Sequence, residues 1–240
     1  MSSEPGSAPG SAVASSPGPT VQLPVVETFH SLQGEGLHAG RAAFFIRLAG
    51  CDVGCTWCDT KHSWPEQVHP RQTLSNLAME TLAAATAGAA FAVITGGEPL
   101  QHDLSGLCAA IDQTTADGLG APLPLHLETS GVHPLSGRFD WITLSPKRHR
   151  PPLDGLLRSC HELKVVVHEA ADLVFAELMA ERAMGGRPRE PRGAGQACGP
   201  ALLLQPGWSS SEGQELAVAF VRSHPHWRLS LQSHKWLGVR

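Results

Sequence analysis

The sequence predicts an α/β fold, an incomplete (β/α)6-type barrel with one open mouth. Three observations predict it. Short apolar stretches alternate with stretches of helical period at intervals suited to about six βα units, which implies a parallel sheet. Polar or glycine-rich signatures recur where the apolar stretches stop: Thr95–Glu98, Glu128–Ser130, Ser145–Lys147 and Gln205–Pro206. That edge is where parallel α/β folds bind their ligands. Finally, 240 residues with 42% hydrophobic and 17% charged content suit one packed core. An ordinary doubly wound sheet is the alternative.

In chain order, residues 1–20 are mostly Ser, Pro, Gly and Ala and cannot bury enough to fold, so a disordered tail is expected before a single domain over 21–240. Leu23–Phe29 reads as a strand running into the loop Ser31–Gly36. Ala42–Leu48 is a buried strand with one charge, Arg47. Thr73–Ala87 is helical by the spacing of Leu74, Leu77 and Leu82 and by its alanines. The stretch Phe91–Leu100 is a strand ending in Gly-Gly-Glu-Pro, and Leu104–Ala116 a helix. Leu123–Glu128, Trp141–Leu144 and Leu163–Val167 are strands, and Ala170–Ala183 a helix. Residues 185–199 show no periodicity and read as a mobile loop. Ala201–Leu204 is a strand, and Ser209 with Glu212 has the spacing of a capping box opening a helix to about Arg222. Trp227–Leu231 is the last strand. The closing K-W-L-G-V-R is too apolar for a solvated tail, so it should dock.

A formal net charge of -4 argues against a partner held through nucleic-acid phosphates. No apolar run approaches the roughly 20 residues that span a bilayer, and the N-terminus does not read as a signal peptide. The expected location is the cytoplasm. Of the six cysteines, Cys108 and Cys160 read as small buried hydrophobes, and Cys198 as an exposed loop residue.

Cys51, Cys55 and Cys58 lie within eight residues in a Cys-x3-Cys-x2-Cys spacing. Gly50 and Gly54 let a loop fold three sulfurs around one centre. Three thiolates are one short of the four that usually hold an iron–sulfur cluster or a structural zinc. His62 could complete a Cys3His zinc knuckle. The other reading is a [4Fe–4S] cluster with one iron left open. Thr60 offers a hydroxyl of the kind Mg²⁺ accepts; otherwise it bonds its own backbone. Arg47 is a lone cation in an apolar strand, suited to a carboxylate or to an internal ion pair.

The triad, with Trp57 just before its third cysteine, resembles the signature of radical S-adenosylmethionine enzymes, and Gly96-Gly97-Glu98-Pro99 resembles their second motif. Together with L-Q-G-E-G (Leu32–Gly36), F-I-R-L, C-D-T-K-H, E-T-S-G, S-P-K and the terminal R-L-S-L-Q-S-H-K-W-L-G (Arg228–Gly238), the chain resembles the 7-carboxy-7-deazaguanine synthase family from about Val25 to its end, the 185–199 loop excepted.

The resemblance implies conversion of 6-carboxy-5,6,7,8-tetrahydropterin to 7-carboxy-7-deazaguanine with loss of ammonia, in queuosine biosynthesis. It implies that the reduced cluster cleaves S-adenosylmethionine to a 5′-deoxyadenosyl radical, with Cys51, Cys55 and Cys58 as cluster ligands. Cofactor contacts would be Trp57, Gly97, Glu98, Ser130, Ser145, Pro146, Lys147 and Gln205. Substrate contacts would be Leu32, Gln33, Gly34, Glu35, Arg47, Thr95, His234 and the terminal carboxylate of Arg240, with Thr60 and the substrate carboxylate sharing Mg²⁺. The implied partners are an electron donor such as flavodoxin or ferredoxin and a second copy in a homodimer. Neither nucleic acid nor membrane is an expected partner.

Overall fold

The computed structural model describes residues 21–185 and 199–240. The expected tail, the expected loop apart from its end residues, and Cys198 lie outside the described residues. The strands are β1 (Gln22–Leu32), β2 (Ala42–Leu48), β3 (Arg71–Thr73), β4 (Ala92–Gly96), β5 (Leu125–Thr129), β6 (Trp141–Leu144), β7 (Glu162–Val167), β8 (Ala201–Pro206) and β9 (Trp227–Leu229). The helices are α1 (Leu74–Thr86), α2 (Ser105–Leu119), α3 (Asp154–Ser159), α4 (Ala170–Met184), α5 (Ser211–Ser223) and α6 (Ser233–Leu237).

The strands form one open sheet in the order β3-β1-β2-β4-β5-β6-β7-β8-β9, with β3 and β9 at its edges. From β2 to β9 every neighbouring pair is parallel. The expectation of a wholly parallel sheet fails at one end, where β1 runs antiparallel to β2 and β3. Residues 33–41 between β1 and β2 hold only a short 3-10 turn, Gly36–His38. A connection that short cannot make the crossover that parallel pairing needs.

Alternation along the strands creates two faces. Phe44, Ile46 and Leu48 of β2, Ala92 and Ile94 of β4, Leu125 and Leu127 of β5, and Leu163, Val165 and Val167 of β7 join the main core with buried residues of α1, α2, α4 and α5. The intervening residues point the other way. There Ala43, Phe45, Phe91 and Val93 form a small cluster with Phe29, and no helix residue joins it. A doubly wound sheet carries helices on both faces, so this arrangement does not match that alternative. Further along each strand the inner positions turn polar, which leaves room for a ligand.

Three local expectations change. The cap of α5 is Ser210, whose side chain accepts from the Gly213 N–H at 3.0 Å. Ser209 instead takes a left-handed φ of 60° in the turn leading to it. The last strand stops at Leu229, and α6 follows where no helix was expected. Its start is docked: Ser233 gives both its N–H and its hydroxyl to the Gly34 carbonyl, each at 2.9 Å. Its apolar residues are not, since Trp236 and Leu237 stay 79% and 62% exposed. No described helix is long and apolar enough to cross a membrane.

Candidate active site

The cavity lies at the C-terminal ends of the parallel strands and measures about 260 Å³. Its floor is the polar half of the inner face: Arg47, Thr95, Glu128, Thr143 and Lys164, one each from β2, β4, β5, β6 and β7. One wall is the loop after β1, Gln33 to Glu35. The opposite wall is the cysteine loop. His234 and Arg240 close the rim.

Each element is held by named bonds. Gln33 Nε2 donates to Glu128 Oε1 and Thr95 Oγ1 donates to Glu128 Oε2, both at 2.9 Å. Glu35 forms an ion pair with Lys164 and accepts from Gln232 Nε2 at 2.9 Å. Burial alone would raise the Glu35 pKa, but the Lys164 ammonium overrides it and brings the carboxyl to about 2. Burial likewise opposes the charge on Lys164, yet Glu35, Glu128 and Glu162 around it raise its pKa. Gly34 leaves space for the His234 ring; a Cβ there would sit 2.1 Å from its Nδ1.

Cys51, Cys55 and Cys58 all face the cavity. Gly50 (φ 102°) and Gly54 (φ 76°) take the backbone geometry expected of this loop. Burial pushes the Cys51 thiol up, opposed by hydrogen bonds from the backbone at Val53 and Gly54. Burial does the same at Cys55, opposed first by the Lys147 ammonium. The Thr60 N–H donates to Cys58 Sγ at 3.4 Å. The loop is clamped from outside by His133 Nε2 to Asp52 Oδ1 (3.0 Å), Arg150 to Asp52 Oδ2 (2.8 Å) and His149 Nε2 to the Val53 carbonyl (3.1 Å). His62 is exposed and absent from the cavity lining. Among the described residues no three His, Cys, Asp or Glu side chains are grouped as ligands of a metal ion.

A second lobe of about 280 Å³ continues past Lys147 and Lys164 over the ends of β7 and β8, lined by His168, Gln205, Pro206 and Trp208. Lys147 Nζ donates to Ser145 Oγ at 2.8 Å and lies 5.0 Å from the Trp57 ring centre. Burial lowers its pKa, and Cys55 works against that.

Of the cluster, cofactor, Mg²⁺ and substrate residues that the resemblance implied, all but Glu98, Pro146 and Gln205 line the first cavity. Gln205 lines the second, and Pro146 is buried beside Ser145. Glu98 differs from expectation. Its carboxylate accepts from Leu100 N–H (3.1 Å), Thr129 Oγ1 (2.6 Å), and Ser130 N–H (2.8 Å) and Oγ (2.5 Å). With four donors on it, it braces the turn after β5 and lies outside the cavity lining. Thr60 also departs from its bland alternative: its hydroxyl lies 3.4 Å from Cys58 Sγ rather than on its own backbone.

Thr143, Lys164 and Gln232 were missed as lining residues, and Glu128 was read only as part of a polar strand end. Their signal was available, because Lys164 is a lone cation in an apolar strand just as Arg47 is, and Glu128 and Thr143 fall on the inner alternation.

Comparison with known proteins agrees with this geometry. No protein-family model matches the chain. The 7-carboxy-7-deazaguanine synthase of Prochlorococcus marinus is 53% identical over 90% of this chain and 98% of its own length. That of Synechocystis is 48% identical over 92% and 95%. The crystal structure of QueE from Escherichia coli superposes with a TM-score of 0.70 at 30% identity, covering 89% of this chain and 95% of that one. With strand ends, cysteine loop and docked C-terminus in one cavity, and with relatives this similar over nearly full length, the chain belongs to the 7-carboxy-7-deazaguanine synthase family.

Proposed function

We propose that the strand-end cavity is where this chain converts 6-carboxy-5,6,7,8-tetrahydropterin to 7-carboxy-7-deazaguanine with loss of ammonia. Family membership makes the chain a lyase of queuosine biosynthesis. The observation that carries the assignment to this cavity is the meeting of three cysteines with a ring of polar inner-face residues in one cavity.

The residues fit a [4Fe–4S] cluster and S-adenosylmethionine. Three sulfurs face the cavity, and backbone N–H groups are aimed at Cys51 and Cys58 as thiolate ligands require. A structural zinc would draw four donors to within about 2.3 Å of one point, and the exposed His62 supports no such set. Gly97 packs so closely that a Cβ would lie 2.4 Å from the Gly50 carbonyl, which keeps side chains out of the space beside Cys51. When bound, cluster and cofactor supply the radical chemistry that removes hydrogen from the pterin carbon bearing the carboxylate.

The chain's own residues bind, orient and exclude water. Arg47 takes the pterin carboxylate with its planar guanidinium. Gln33, Glu35 and Thr95 offer acceptors and donors to the pterin edge, held in place by Glu128 and Lys164. His234 and the α-carboxylate of Arg240 close the same edge, and an acceptor-only carboxylate suits the ring's amino and N–H donors. Phe29 and Phe45, stacked at 4.9 Å, form a dry wall. Ser145, Lys147, Trp57 and Gln205 line the path into the second lobe, which we assign to the adenosyl part of the cofactor. Ser130 and Gly97 serve its methionine end, with Glu98 bracing Ser130.

Thr60 is assigned to Mg²⁺ shared with the substrate carboxylate. We further assign residues 21–240 to one catalytic domain, a partial barrel in its curvature, working as a cytoplasmic homodimer reduced by a flavodoxin- or ferredoxin-type donor. Anaerobic turnover of the carboxypterin by the cluster-loaded enzyme tests the reading, with product followed by mass. A reconstituted enzyme that cleaves S-adenosylmethionine yet never forms the ammonia-losing product would overturn it.

A further inference from the structure

We propose that Glu27 is a positioning residue of the pterin site, one carboxylate that sets both the strand arginine and the last residue of the chain. This rests on the assignment of the cavity to the pterin. Glu27 lies on β1 directly opposite Arg47 on β2, just past a register irregularity between Val25 and Glu27. Such a bulge re-aims the side chains that follow it. Directly opposed residues of an antiparallel pair share a face, so Glu27 reaches Arg47 along the inner face, beside the cavity lining rather than in it.

The two carboxylate oxygens are divided between two cations. Oε1 accepts from Arg47 Nε at 3.0 Å, and Oε2 accepts from the Arg240 guanidinium at 2.8 Å. Both arginines line the cavity; Glu27 does not. Arg47 is therefore held by its Nε edge, with the Phe29 ring 5.9 Å away. Among the described residues no hydrogen bond engages its two terminal nitrogens, so that pair stays available for a bidentate carboxylate.

Arg240 is fixed at two points on the same strand. Its side chain meets Glu27, and a terminal oxygen accepts from Ser31 Oγ at 2.5 Å. The α-carboxylate thereby acquires a defined position at the rim although Trp236, Leu237 and Val239 before it stay exposed. Without Glu27 two guanidiniums would share one edge with no counter-charge between them. The Arg240 side chain is 71% exposed and that of Arg47 only 19%. An exposed pair contributes little, so the Arg47 arm carries the larger effect.

The test is anaerobic kinetics of the cluster-loaded enzyme for wild type, Glu27→Ala, Glu27→Gln, Arg240→Ala and the Glu27→Ala/Arg240→Ala double variant. Iron content, melting temperature and cofactor cleavage without pterin are measured alongside. Glu27→Ala should raise KM for the carboxypterin about tenfold or more, change kcat less, and leave iron and cofactor cleavage as in wild type. Glu27→Gln, which keeps the shape and one acceptor, should lie between. Arg240→Ala should raise KM a few-fold, and the double variant should be no worse than Glu27→Ala. Inhibition by a tetrahydropterin lacking the 6-carboxylate separates the arms: Arg240→Ala should weaken it as much as it weakens substrate, Glu27→Ala by less. An unchanged KM in folded Glu27→Gln or Glu27→Ala overturns the proposal, as do Glu27 and Arg240 effects that multiply. Should wild type itself fail to turn over the carboxypterin, the assignment of the cavity fails instead.

Discussion

Glu35 and Lys164 meet on the inner face of the sheet, where Lys164 is only 5% exposed. A charge so placed needs its partner. Glu35→Ala should therefore lower the denaturation midpoint, by less than the about 3–5 kcal/mol of a wholly unpaired buried charge, because Glu128 and Glu162 also surround the ammonium. The pair also makes stability depend on pH. The Glu35 carboxyl falls from an ordinary 4.5 to about 2 on folding, so its contribution is complete above 4.5 and disappears as pH falls through about 2. Its size is on the order of 3 kcal/mol, and Lys164→Met should flatten that part of the acid-unfolding profile. Thr60 carries a separate expectation. If it holds Mg²⁺, added Mg²⁺ raises the wild-type rate and not that of Thr60→Ala; a wild-type rate indifferent to Mg²⁺ refutes the role.

Two elements have outcomes of their own. The turn before α5 shows how a cap is chosen by the chain's path rather than by spacing. Ser209 and Glu212 had the expected spacing, but the turn through Gly207 and Trp208 takes one more residue, and Ser210 becomes the cap. Ser210→Ala should lower stability by about 1 kcal/mol, whereas Ser209→Ala leaves the cap in place and should cost less; thermal denaturation of both variants decides. The second element is α6 with the three-residue end that brings Arg240 to the rim. Appending a C-terminal tag moves the α-carboxylate away and should raise KM for the pterin sharply while iron content and cofactor cleavage persist. A tagged enzyme with unaltered KM would remove the carboxylate from the site.

For the whole molecule, the fold serves to bring one edge of a parallel sheet together with a loop that no strand contains. Changing Cys51, Cys55 or Cys58 to Ala should abolish iron, brown colour and turnover together, while His62→Ala keeps all three. Colourless wild-type protein whose metal is lost on His62→Ala would restore the zinc alternative. The buried cysteines elsewhere are bystanders, since burial pushes the Cys108 thiol up to about 11 and Cys160 up to about 12. His126 stacks on Phe91 at 4.0 Å and His38 packs edge-on to Trp141 at 4.5 Å, so both serve as aromatic packing. Burial takes His126 down to about 3, and it stays neutral there.

The sequence by itself determined what local chemistry can carry. The cysteine spacing, the strands Ala42–Leu48 and Trp141–Leu144, the polar strand ends and the family were legible because each is written in consecutive residues. The antiparallel β1, the open edge at β9 and the helix α6 were decided by tertiary structure. Short segments such as Arg71–Thr73 and Ser233–Leu237 have too few residues for a period to show, and are held by what they pack against. The same holds for pairing across long separations. Glu98 carries the expected motif, yet Thr129 and Ser130 claim its carboxylate; Lys164 finds Glu35, and Glu27 gathers Arg47 and Arg240. A carboxylate's partner depends on which side chains the sheet register brings within hydrogen-bonding reach, and no spacing along the chain encodes that distance.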